Sequence, residues 1–75
     1  NPSTNINFAL NEDMSIQLNI YDTNGKLIEQ LANGFYNSGE HTINWNAGTD
    51  LSSGIYIYEL TTPTKQISSK MILFP

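Results

Sequence analysis

The chain has 75 residues, with seven acidic side chains against three lysines, no arginine, a net charge of −4 and no cysteine. A surface of that sign repels phosphate, which argues against nucleic acid and anionic membrane as partners, and no apolar run approaches the roughly 20 residues of a membrane span. Disulfides are excluded, and one histidine falls short of a zinc site of about four Cys, His or carboxylate ligands, so so small a domain must hold by sheet packing or lean on a neighbour.

Asn1-Pro2-Ser3-Thr4 reads as the end of a linker, and residues 5–75 as one domain belonging to something longer. From there the hydrophobic period is 2 nearly everywhere. Ile6, Phe8 and Leu10 alternate with Asn5, Asn7, Ala9 and Asn11. After the turn Asn11-Glu12-Asp13, Ile16, Leu18 and Ile20 alternate with Ser15, Gln17, Asn19 and Tyr21. Each segment is predicted as a strand with one face on a core and one in water.

Lys26 to Ala32 places Leu27, Ile28 and Leu31 at a spacing that also suits a helical turn. It follows Thr23-Asn24-Gly25, however, and Asn-Gly between apolar runs is the strongest short hairpin signal. Seven residues are also too few for a helix stable by itself. The segment is therefore expected as a strand, at an edge or bulged, ending at a turn at Asn33-Gly34. A further turn at Asn37-Ser38-Gly39 precedes a clean alternation of His41, Ile43 and Trp45 with Glu40, Thr42, Asn44 and Asn46. Trp45 fits the apolar phase and is expected in the core.

Two segments close the chain. Gly54 to Thr61 carries Ile55 and Ile57 on one face and Tyr56, Tyr58 and Leu60 on the other, so it is expected to be central or covered from outside. Lys65 to Phe74 places Ile67, Met71 and Leu73 on one face, Ile72 and Phe74 on the other. Six or seven short strands with regular turns predict an all-β antiparallel sandwich.

Chemistry is sparse. Glu12-Asp13 is the one adjacent carboxylate pair and sits in a turn, whereas a glycosidase pair faces across a cleft at about 5–10 Å. His41 has no serine, cysteine or second histidine to complete a catalytic set, and is expected to pack at a sheet margin with one ring nitrogen bonded to backbone. Asn46, Asp50 and the 46–54 carbonyls offer a single carboxylate toward the 6–8 or so oxygens of calcium. Tyr21, Phe35, Tyr36 and Trp45 are the aromatic candidates for a glycan platform. No catalytic, cofactor or metal residue is assigned, and no enzymatic activity is expected.

The order of short motifs carries more. Asn1-Pro2-Ser3-Thr4-Asn5-Ile6 opens the chain, followed by Leu18-Asn19-Ile20-Tyr21-Asp22 and Asn24-Gly25-Lys26-Leu27-Ile28. Ser38-Gly39-Glu40-His41-Thr42-Ile43-Asn44-Trp45-Asn46 comes next. Leu51-Ser52-Ser53-Gly54-Ile55-Tyr56-Ile57-Tyr58-Glu59-Leu60 and Lys70-Met71-Ile72-Leu73 complete the series. This series resembles the type A C-terminal sorting domains of the type IX (Por) secretion system over essentially the whole chain. The related immunoglobulin-like domain of the flagellar hook-capping protein shares a Gly-x-Tyr strand. It usually has a longer, more acidic loop, whereas only eight positions separate Trp45 from Gly54 here.

The resemblance implies an immunoglobulin-like sandwich at the C-terminus of an unrelated cargo in Bacteroidota. The cargo would pass the periplasm, and its sorting domain would be engaged by the outer-membrane translocon without entering the membrane. A surface sortase-like peptidase commonly removes such a domain, leaving the cargo secreted or at the cell surface. The family keeps its signal in its final strands, which points to Gly54, Tyr56, Tyr58, Lys70, Met71 and Leu73 as recognition residues. The alternative reading is a carbohydrate-binding or structural immunoglobulin-like module on a secreted enzyme or adhesin.

Overall fold

A computed structural model describes residues 3–48 and 50–74. They form six strands and no helix: β1 (Ser3–Leu10), β2 (Met14–Tyr21), β3 (Leu27–Tyr36), β4 (Gly39–Asn46), β5 (Gly54–Thr61) and β6 (Gln66–Leu73). All pairings are antiparallel. A two-stranded sheet, β1–β4, packs on a four-stranded sheet of order β3-β2-β5-β6. The expected all-β sandwich is present, with six strands among the described residues. Ser3 and Thr4, which the sequence placed in a linker, pair in β1 with Asn46 and Trp45. Asn1 and Pro2 lie outside the described residues.

The alternations seen in sequence become the core. Ile6, Leu10, Ile16, Leu18, Ile20, Trp45, Tyr56, Leu60 and Leu73 are buried together with Ala32. Leu18 and Ile20 are fully excluded from solvent, and Trp45 is 1% exposed, as its phase required. Sheet packing supplies this core without a cross-link, because strands with one apolar face bury that face against each other.

β3 departs from expectation in length. It runs through Asn33-Gly34, which form no turn: Asn33 pairs with Gln17 and Gly34 with Ile16. Gly34 is absent from the glycines with positive φ, so its backbone stays extended. The cause lies in pairing. β2 has eight residues and β3 ten, and register shifts leave Ile28 and Leu31 as the two unpaired extras. Such bulges twist and blunt an edge strand, so the segment is both at an edge and bulged, as anticipated. Gly25 takes φ 84° in the hairpin before it. There Asp22 Oδ1 accepts the N–H groups of Asn24 and Lys26, both at 2.9 Å.

The two flanks of the sandwich differ. Between β3 and β4 the indole N–H of Trp45 donates to Glu29 Oε1 at 3.2 Å. There Phe8 stacks on His41 and Tyr36 meets both rings edge-on, with centroids 5.3–6.2 Å apart. Between β1 and β6 two shallow depressions of about 190 and 140 Å³ remain, the first bounded by Leu10, Leu60 and Ile67, the second by Thr4, Trp45 and Leu73.

Candidate recognition surface

The segment Leu51 to Tyr58 is built to deliver β5 into the core. Gly54 adopts φ 149°, in the region that side-chain-bearing residues rarely enter, and turns the loop into the strand. Two residues on, Tyr56 is buried and its ring meets Trp45 edge-on at 5.5 Å. Its hydroxyl donates back to the Ser52 carbonyl at 2.7 Å. A tyrosine bonding to backbone a few residues upstream is the corner device of immunoglobulin-like sandwiches. It explains why serine, glycine and tyrosine sit at this spacing: the loop carbonyl is satisfied by a ring that also fills the core.

β6 completes the pair. Its register sets Leu73 opposite Gly54, Ile72 opposite Ile55, Met71 opposite Tyr56, Lys70 opposite Ile57 and Ser69 opposite Tyr58. Cross-strand partners share a face, so Tyr56, Tyr58, Leu60, Met71 and Leu73 look inward, and Ile55, Ile57, Lys70 and Ile72 look outward. Of the six sequence-predicted recognition residues, Gly54 and Lys70 are exposed, Tyr58 and Met71 are half-buried, and Tyr56 and Leu73 are buried.

β5 is central in its sheet, as its two apolar faces required, but β6 is an edge strand. The outward face of both strands is open among the described residues, with Ile55 46%, Ile72 63% and, just past β6, Phe74 70% exposed. The family resemblance did not single out Ile55, Ile57, Ile72 or Phe74. The available signal was the second apolar phase in both final segments.

The other candidate sites take local roles. His41 Nε2–H donates to the Asn37 carbonyl at 2.7 Å while the ring stacks on Phe8, as expected of a marginal histidine. Asp13 Oδ1 accepts the Ser38 N–H at 2.8 Å, tying two turns together. Asn46 Oδ1 accepts the Gly48 N–H at 2.9 Å. Among the described residues no three His, Cys, Asp or Glu side chains gather in metal-binding geometry. The glycan platform does not assemble: Trp45 is buried, and the successive residues Phe35 and Tyr36 point to opposite faces of β3. Phe35 is 68% exposed, whereas Tyr36 packs against Phe8 and His41.

The small sandwich thus has its final strands fixed by a tyrosine corner and carries the exposed apolar side chains Ile55 and Ile72 on the outer face of those strands. The family model for the secretion system C-terminal sorting domain matches residues 1–74. The chain belongs to this family, the sorting domains of type IX secretion. No curated protein and no solved structure matches it. It is thus a sorting signal for a secreted or cell-surface cargo and acts with the type IX machinery; the family is not one of enzymes.

Proposed function

We propose that the chain from Ser3 onward acts as one sorting domain, engaged as a folded unit by the outer-membrane translocon after the cargo reaches the periplasm. Recognition falls on β5 and β6, and a surface sortase-like peptidase then removes the domain. The observation that supports this most is the match over residues 1–74, which spans all six strands. Within the six predicted residues the work divides. Lys70 and Gly54 meet the partner, while Tyr56, Tyr58, Met71 and Leu73 hold β5 and β6 in the register that presents them.

Fusing the chain to a periplasmic reporter in a type IX-competent strain tests the reading. The reporter is expected outside the cell, shortened by the domain. A reporter retained in the periplasm with the domain intact would refute it. Removing residues 70–75 is expected to abolish export, and because that deletion also takes Leu73 from the core, Lys70→Gln is run beside it.

A further inference from the structure

The two edge strands of the four-stranded sheet are held in different ways. β3 is pinned on both of its faces. Inward, Ala32 is buried, and Ile28, Leu31 and Tyr36 pack on the core. Glu29 bonds across to Trp45, and on the outer face Gln30 Nε2 donates to Asn19 Oδ1 at 3.0 Å. β6 has none of this along most of its length. Gln66 to Lys70 are all exposed; of the inward residues among them, Ile67 is still 49% exposed and Ser69 brings little apolar area. The shallow depressions between β1 and β6 mark where the smaller sheet stops short of this strand. Among the described residues, side-chain hydrogen bonds on this side end at Lys65, in the turn before β6.

What remains is the ladder to β5 and one buried side chain. Leu73, at the far end, belongs to the core, with Met71 half-buried beside it. The turn at the near end closes on itself. Thr62 N–H donates to the Lys65 carbonyl at 2.8 Å, and Lys65 N–H donates to Thr62 Oγ1 at 3.1 Å. That turn stays formed when the strand beyond it moves. Elements with few buried apolar contacts and exposed backbone bonds open locally, ahead of the rest of the fold.

We infer that β6 is a strap, hinged after the Thr62-Pro63-Thr64-Lys65 turn and latched by Leu73, which opens while β1 to β5 stay folded. The strap decides whether the candidate recognition set is assembled. Lys70, Met71 and Leu73 ride on it, whereas Gly54, Tyr56 and Tyr58 belong to the body. The register that sets Leu73 opposite Gly54 exists only when the strap is closed. The inference rests on the sorting reading and adds a two-state element to it: closed, the domain is readable, and open, it is not. Leu73 is therefore a positioning residue, 5% exposed and out of a partner's reach in the closed form.

The test removes the latch and then replaces it. Leu73→Ala is made in the full-length cargo, alone and together with Glu59→Cys and Ser68→Cys, at positions that stand opposite each other on β5 and β6. Opposed Cα atoms of an antiparallel pair lie about 4.5–5.5 Å apart, within disulfide range, and the chain has no cysteine of its own to compete. Hydrogen exchange read by mass spectrometry on purified cargo follows opening strand by strand. Leu73→Ala is expected to speed exchange in β6 by about tenfold or more and to leave β2 and β4 unchanged. Oxidising the cysteine pair returns β6 to wild-type exchange. Export in the type IX-competent host is expected to fall with Leu73→Ala and to return with the oxidised pair, but not with Glu59→Cys alone beside Leu73→Ala. Exchange that speeds equally in all six strands overturns the strap, because the domain then opens only as a whole. Unchanged exchange in β6 overturns it too, since Leu73 is then no latch. Full export of Leu73→Ala with β6 open, or export still lost once the disulfide has closed it, overturns the switch and leaves the sorting reading standing. If the unaltered cargo itself stays in the periplasm, the sorting reading fails instead, and the exchange result still decides the strap.

Discussion

Along β5 and β6 inward and outward residues alternate, and the two sets face opposite demands. Inward, Tyr56, Leu60 and Leu73 are 5–7% exposed and belong to the continuous core. Outward, Ile55, Ile72 and Phe74 are nearly as apolar yet 46–70% exposed. Hydrophobicity alone does not distinguish the sets; what covers each of them does. The inward set is satisfied by β1 and β4, whereas the outward set has no cover among the described residues. One pair of strands thus serves folding through one face and leaves apolar side chains open on the other.

Substitutions on the inward face test the first half of that contrast through stability. Leu60→Ala, in the central strand, is expected to cost about 2–5 kcal/mol, the largest effect in the series. A domain this small has little stability in reserve, so denaturant unfolding followed by fluorescence of the single tryptophan should show a sharply lowered midpoint. Gly54→Ala comes next. A Cβ there meets nothing within 4 Å, so its cost is backbone strain at φ 149°, about 1–3 kcal/mol. Tyr56→Phe keeps the ring against Trp45 and removes only the bond to the Ser52 carbonyl, with an expected loss of about 0.5–1.5 kcal/mol. An undiminished unfolding midpoint for Tyr56→Phe would show that the corner contributes nothing to holding β5.

How much of this was legible in the sequence varies by element. β1, β2 and β4 follow strict alternation, so their strands and core residues could be read directly, Trp45 included. β3 could not be measured from its residues, because Ile28 and Leu31 bulge and break the period. Asn33-Gly34 resembles a turn until the pairing partner's length is known. At the candidate recognition surface, the family resemblance pointed to Gly54, Tyr56, Tyr58, Lys70, Met71 and Leu73, four of which look inward. The placing of apolar residues along the two final segments showed that both are apolar on two faces. It could not show which face is covered, since that depends on the side on which the β1–β4 sheet packs and on the register of β6 with β5.

The smallest expected effect on stability is the one that decides the second half of the contrast. Ile72→Ser and Phe74→Ser alter side chains already mostly in water, so each is expected to shift unfolding by no more than about 0.5 kcal/mol. Both sit in or beside the row opposite Ile55, where a docking partner would exclude water. Truncating a contact that becomes buried only on binding costs affinity without costing fold. The expected result is therefore a cargo with a normal unfolding midpoint that accumulates in the periplasm. If both variants leave the cell as efficiently as wild type, the outward face is not covered during export, and the apolar rows have no part in sorting. If instead they unfold as readily as Leu60→Ala, the face is already covered within the longer protein, and the division between the two faces of β5 and β6 is wrong.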